Sequence, residues 1–379
     1  MDRGDVVELE IDKLVAGGAG LARSSDGRVV LVTACLPGER VRAVIDRAKR
    51  DVAFGQTVEV LQPSPDRVNP PCAHVADGCG GCDWQHIAPH AQAQLKRAIV
   101  IDALVRLGAS ADVSVRPTVE LPSLEYRQRV RFVVSDGRAA FRKVRSNQPI
   151  VVSSCAVLHP KLDRIMTSTD WSASREAELA YGVHTDETLR VAPTARAPRR
   201  DGRYHEIVAG HRFRISARSF FQIRSDGAEV LVDLVRRAVG EVNALADLYA
   251  GVGLFAATVP SQHVVAIEGN PAAVADCRVN LAGHPDAKVH RVAVERWRAK
   301  RSYDAVVADP SRAGLGSDGV ASVLRCKPRR IALVSCDPAA MARDVRCLRA
   351  AGYDVVDVTP VDLFPMTSHV ETVTAFARA

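Results

Sequence analysis

Three cysteines, Cys72, Cys79 and Cys82, share one short loop, Pro70-Pro-Cys-Ala-His-Val-Ala-Asp-Gly-Cys-Gly-Gly-Cys82, with the spacing C-x6-C-x2-C. Cys155 is the natural fourth member of the set. Four thiolates suit an iron–sulfur cluster or a tetrahedral zinc ion. Spacing alone leaves open a zinc site that uses His74 or His86 in place of Cys155. Cys336 has a different setting, Val334-Ser-Cys-Asp-Pro338, directly after an apolar stretch that reads as a strand. An isolated cysteine is most often a buried structural residue. At the carboxyl end of a strand in an open parallel sheet it faces the ligand crevice, and a thiolate there is a nucleophile. Asp309, in Asp309-Pro-Ser-Arg-Ala-Gly314, follows its own strand in the same way.

The turn Asp247-Leu-Tyr-Ala-Gly-Val-Gly253 lies between a strand and a helix, and glycines there allow a ligand close to the backbone. Glu268 ends the next strand, where a carboxylate accepts both hydroxyls of a ribose. Gly251-Val-Gly253-Leu-Phe-Ala256 also fits the dinucleotide fingerprint. Asp247, acidic and directly before the turn, favours a nucleoside with a cationic tail over a pyrophosphate.

The elements that would carry these residues change character along the chain. Residues 1 to about 62 read as short strands, among them Val6–Ile11, Arg28–Val32 and Glu39–Ile45, separated by glycine turns, as in a small barrel. Pro63-Ser-Pro65 and Pro70-Pro71 mark a linker. A helix is expected over Ala91–Leu107, with Leu95, Ile99, Asp102 and Val105 at helical spacing and Gly108 as its stop. Strand patterns return from Val113 to Ile215, with Arg127, Arg129 and Arg131 alternating on one face and a polar loop near Thr194–Gly202. The arginine face is either solvated or a phosphate contact. After Ala217, strands alternate with helices, the mark of a parallel doubly wound sheet. The expected division is 1–62, a TRAM- or OB-like barrel; 63–216, a central β-rich region, its helix at 91–108 packing on the last unit; and 217–379, a Rossmann-like α/β catalytic unit.

Bulk properties agree with two or three domains: 379 residues, 47% hydrophobic. A net charge of +7 and a pI near 9.0 suit a polyanionic partner. Met1–Glu8 has no apolar signal core, and the apolar segment Ala244–Val259 is short and interrupted by Asp247. Nine cysteines then point to a reducing, cytoplasmic setting, where clustered thiols bind metal or do chemistry rather than pair. A monomer is expected, with no membrane partner.

Taken in order, Ser219-Phe-Phe-Gln222, Asp247-Leu-Tyr-Ala-Gly-Val-Gly253, Asp309-Pro-Ser-Arg-Ala-Gly314, Ser335-Cys336-Asp-Pro338 and Leu363-Phe-Pro-Met-Thr-Ser-His-Val-Glu371 resemble the motifs of the RNA uracil-5-methyltransferases. Gly80-Gly-Cys-Asp-Trp-Gln-His86 resembles that family's iron–sulfur segment, and residues 1–62 its TRAM domain. The resemblance spans nearly the whole chain. It implies Cys336 as nucleophile and Glu371 as base. It implies S-adenosylmethionine held by Gln222, Tyr249, Gly251, Glu268 and Asp309, and a [4Fe–4S] cluster on Cys72, Cys79, Cys82 and Cys155. The implied substrate is a uridine of RNA, 23S ribosomal RNA ahead of transfer RNA. An NAD-dependent iron–sulfur oxidoreductase is the rival enzyme; it accounts for the glycine turn and the cysteine loop but not for Cys336 or Glu371. A non-catalytic RNA-binding iron–sulfur protein is the third reading.

Overall fold

A computed structural model describes residues 1–108, 113–193 and 202–379. The expected polar loop from Thr194 lies, up to residue 201, outside the described residues.

Val6–Glu10 (β1), Lys13–Leu14 (β2), Gly20–Arg23 (β3), Val29–Thr33 (β4), Arg40–Ala48 (β5) and Val52–Gln62 (β6) form one sheet in the order β1-β5-β6-β4-β3-β2. Alternation puts Leu9, Val30, Val32, Val41, Ala43 and Ile45 inside. β1 also contacts β3, which curls the sheet on itself. β6 escapes the sequence pattern because its pairing with β5 slips register three times.

Pro89–Arg106 (α1) begins with proline at its first turn. Its phase differs from the expected one. Val105 is 53% exposed, while Gln92 and Lys96 are buried beside Ile99, Val100, Ala103 and Leu104. Both polar side chains go inward because each finds hydrogen-bond partners there.

Arg129–Ser135 (β7), Arg138–Arg142 (β8), Pro149–Val151 (β9), Glu176–Gly182 (β10) and Glu187–Val191 (β11) make an antiparallel sheet ordered β11-β10-β7-β8-β9. Pro160–Ser168 (α2) packs on β8 and β10. The arginines near β7 share a face, as alternation predicts, but it is not a free solvent face: all three line one cavity, and Arg129 and Arg131 both bond Glu178. Arg129 is committed internally, to Glu178 at 2.7 Å and to the carbonyls of Ala217 and Ser219. Arg127 precedes the strand and pairs across to Leu158. A hairpin, Arg203–Val208 (β12) and His211–Ser216 (β13), follows.

The last part contains Ser225–Val239 (α3), Ala244–Leu248 (β14), Leu254–Thr258 (α4), His263–Glu268 (β15), Pro271–Asn280 (α5), Ala287–Arg291 (β16), Ala305–Ala308 (β17), Gly316–Arg325 (α6), Arg330–Ser335 (β18), Pro338–Ala350 (α7), Tyr353–Val361 (β19) and Glu371–Arg378 (β20). The seven strands run β16-β15-β14-β17-β18-β20-β19. The first five are parallel, and β20 inserts antiparallel between β18 and β19. One face packs on α3, α4 and the β12–β13 hairpin; the other packs on α1, α6 and α7. No helix among the described residues is long and apolar enough to cross a membrane.

Candidate active site and cysteine cavity

The carboxyl ends of β14, β15, β17 and β18 and the start of β20 converge on a cleft of about 560 Å3. Gln222, Tyr249, Gly251, Glu268, Asp309, Cys336 and Glu371, all singled out above, line it together. Arg312, Phe364 and His369 complete the wall on the Cys336 side.

Local sequence explains each placement. The segment Cys336-Asp-Pro338 is strand end, helix cap and first helical turn. The Asp337 carboxylate caps α7 by accepting from the Ala340 N–H at 2.7 Å, and Pro338 supplies the first turn. Cys336 is thereby held at the mouth of the cleft, next to a helix N-terminus. Ser335 pairs with Thr372 across the antiparallel β18–β20 ladder, so Cys336 and Glu371 come next to each other where the strands meet the cleft. Tyr249 sits in the turn at a φ of 62°, a strained value for a residue with a side chain and one that recurs at functional sites. Its hydroxyl donates to Glu295 at 2.8 Å. The Glu268 carboxylate accepts from the N–H groups of Gly251 (2.9 Å) and Asn270 (2.6 Å), which fixes it at the turn with lone pairs left for a ligand.

Electrostatically the cleft is crowded with acids. Burial pushes the Glu371 carboxyl up, and the neighbouring Asp309 pushes it further. Asp309 is raised by burial as well. Burial, then the carboxylates of Glu371 and Asp309, push the Cys336 thiol up to about 11, against the pull of Arg312. His369 is lowered by burial and by Arg312, so it is neutral at pH 7; its Nε2 lies 3.2 Å from an Arg312 N–H donor. The expectation for Asp247 needs correcting. It is fully buried beneath the turn, accepts from the Ala256 N–H at 2.8 Å, and burial raises it to about 8. It is a neutral prop for the turn rather than an anionic wall.

These shifts predict the chemistry of the free thiol. Only the thiolate alkylates rapidly, so modification of Cys336 by iodoacetamide, followed by peptide mass spectrometry, should rise with pH throughout the range 7 to 10. In Glu371→Gln the repelling carboxylate is gone, and the whole profile should move to lower pH. A profile that is unchanged, or moves upward, contradicts the arrangement.

A second cavity, of about 460 Å3, is lined by Cys72, Cys79, Cys82 and Cys155, with His74, Arg127 and Arg142 on its wall. The four predicted thiols therefore come together from both segments. Burial raises Cys79, Cys82 and Cys155, and mutual repulsion among the four adds to it. Among the described residues no three His, Cys, Asp or Glu side chains could hold a single metal ion. His86 faces elsewhere, towards Arg67 and Glu39, and His74 is bonded to Asp77 and Ser153. The cavity thus offers an all-thiol donor set with His74 on its wall, a set that suits an iron–sulfur cluster or a four-thiolate zinc ion.

Arg312, Phe364 and the neutral state of Asp247 were not singled out from sequence. Arg312 had a signal, since it lies three residues beyond Asp309 on the same strand-end loop. Burial of Asp247 had none, because a turn residue's depth is set by the tertiary packing over it.

A TRAM domain family matches residues 2–58. An uncharacterized RNA methyltransferase of Streptomyces avermitilis is 33% identical, covering 98% of this chain and 98% of its own. Another, from Streptomyces coelicolor, is 34% identical over 98% and 92%. A solved structure, the Pyrococcus abyssi tRNA (uracil-54, C5)-methyltransferase in complex with S-adenosyl-L-homocysteine, superposes with a TM-score of 0.78, covering 98% of this chain and 100% of its own. At 22% identity it establishes a common fold. With relatives this similar over nearly their full length, and a TRAM domain at its N-terminus, the chain belongs to the RNA methyltransferase family that its ordered motifs resemble.

Proposed function

We propose that the protein transfers a methyl group from S-adenosylmethionine to carbon 5 of a specific uridine in RNA through a transient Cys336–uracil bond. The observation that carries this reading is the meeting of Cys336, Glu371 and Asp309 in one cleft with the Glu268–Gly251 turn. Gln222, Tyr249, Gly251, Glu268 and Asp309 would hold the methyl donor, which supplies an electrophilic methyl group. Cys336, as thiolate, adds to carbon 6 of the uracil and makes carbon 5 enolate-like. The cleft then holds carbon 5 in line with the methyl group. After transfer, Glu371 takes the carbon-5 proton as its electron pair expels the Cys336 thiolate. The thiolate is regenerated and one proton is released overall. A raised carboxyl suits this base, since its conjugate acid is then a weak one. The target base must be unstacked to enter, which RNA loops allow.

The RNA we favour is 23S ribosomal RNA, because a TRAM barrel and four cysteines accompany the catalytic part. Transfer RNA is the second reading, favoured by the activity of the Pyrococcus abyssi neighbour. An NAD-dependent oxidoreductase leaves a thiol facing a carboxylate without a task. Incubation with methyl-labelled donor and unmodified RNA from each pool, followed by nucleoside analysis, tests the reading: 5-methyluridine is expected, and another methylated nucleoside would overturn it.

Cys72, Cys79, Cys82 and Cys155 would ligate a [4Fe–4S] cluster, which methyl transfer does not need for redox chemistry. Anaerobically purified protein should be brown and contain iron and acid-labile sulfide, both lost with Cys82→Ser. Stoichiometric zinc without iron would refute the cluster.

A further inference from the structure

The loop from Asp362 to Val370 joins β19 to β20, carries Phe364 and His369 and delivers Glu371 to the cleft. Segments remote in sequence hold it from behind. Asp83 Oδ1 accepts the Ser368 N–H at 2.9 Å. Gln92 Oε1 accepts the Met366 N–H at 2.8 Å, while its Nε2 donates to the carbonyls of Ile87 (2.8 Å) and Trp84 (3.2 Å). The Trp84 N–H donates to the Met366 carbonyl at 3.0 Å, and the Tyr126 hydroxyl to that of Pro365 at 3.0 Å. Lys96, fully buried, binds Asp362 at 2.5 Å and the Phe364 carbonyl at 3.0 Å. Even the N-terminal barrel takes part: Gly18, at a φ of +81°, lies so close that an added Cβ would fall 2.4 Å from the Ser368 Cβ.

Within the loop, Thr367 bonds the Phe364 carbonyl and accepts from the His369 N–H, but these bonds leave the backbone at Met366 and Ser368 to outside partners. Met366 sits at a φ of 64°, a left-handed value a side chain disfavours, and persists only where the surroundings over-determine it. Asp83, Gln92 and Lys96 are absent from the cleft wall. They touch neither reacting atoms nor donor site.

We propose that Asp83 and Gln92 are positioning residues for the catalytic base: by fixing the backbone at Ser368 and Met366 they set where His369 and Glu371 stand in the cleft. This rests on Glu371 being the base. Asp83 directly follows Cys82, so the geometry of the cysteine cavity reaches the catalytic loop through one residue. The cysteine loop thus gains a role in the reaction that requires no electron transfer.

The test is single-turnover methylation with methyl-labelled S-adenosylmethionine, using unmodified 23S rRNA and tRNA transcripts in parallel. The variants are Asp83→Ala, Asp83→Asn and Gln92→Leu, with Glu371→Gln as reference. A misplacement of about an ångström costs on the order of 10²-fold in rate. Asp83→Ala and Gln92→Leu should slow release of methylated RNA by that order, accumulate the covalent methylated complex seen with Glu371→Gln, and bind S-adenosylhomocysteine normally in calorimetry. Asp83→Asn keeps an acceptor for the Ser368 N–H and should restore release. Gln92→Leu lies outside the cysteine loop, so its phenotype does not depend on the cluster. Release at the wild-type rate in Asp83→Ala and Gln92→Leu, while Glu371→Gln still traps, overturns this proposal alone. Equal slowing of adduct formation and release, with a lowered unfolding midpoint, also overturns it. No trapped complex in Glu371→Gln removes the base assignment and the proposal with it.

Discussion

Cys336→Ala is expected to abolish methylation, by about 10⁴-fold or more, the scale on which loss of an essential nucleophile acts. The alanine cannot add to carbon 6, so carbon 5 stays unactivated, and no covalent RNA complex should survive denaturation. Donor binding should be retained, because the turn at Tyr249–Gly251 and Glu268 keeps its own hydrogen bonds. The substitution removes a partly exposed side chain that caps nothing; Asp337, which caps α7, is untouched. Folding should therefore be preserved, and a normal unfolding midpoint in an inactive variant separates chemistry from stability. A Cys336→Ala protein that still makes 5-methyluridine would exclude the covalent route.

Glu371→Gln should fail differently. It keeps the nucleophile and loses the base, so methyl transfer proceeds and elimination stalls. General-base removal costs about 10²–10⁴-fold in the step it serves, and a denaturation-resistant protein–RNA complex bearing the labelled methyl group should accumulate. A gel of protein, methyl-labelled donor and RNA reads this directly. Glutamine is nearly isosteric and relieves a buried acid whose charge burial and Asp309 both oppose, so this variant should be no less stable than the parent. Loss of activity with no trapped complex would make Glu371 a structural residue.

That the site residues converge on one cleft was legible because their positions are topological. Strand-end placement alone predicts that Asp309, Cys336 and Glu268 face one crevice, and the register Ser335↔Thr372 adds Glu371. The parallel, doubly wound character of the sheet followed from alternation with helices, though the edge strand β16 was not foreseen. The insertion of antiparallel β20 did not follow, because nothing local in Glu371–Arg378 distinguishes an inserted strand from an edge one. The phase of α1 was misread for a related reason. Its inward Gln92 and Lys96 look like solvent positions until the loop that accepts them is in place. Alternation rightly put the arginines on one face, where Arg129 and Arg131 both reach Glu178, but it could not show that Glu178 and two backbone carbonyls capture Arg129. Such partners, some 50 to 270 residues away, are visible only in three dimensions.

The most direct test of uridine C5 methylation through Cys336 is a map of 5-methyluridine across 23S rRNA and tRNA in three strains. One lacks the protein, one is complemented with wild type, and one is complemented with Cys336→Ala. A specific uridine should lose its methyl group in the first, regain it in the second and remain unmethylated in the third. Identical maps in all three strains, or a mark restored by Cys336→Ala, would contradict the account.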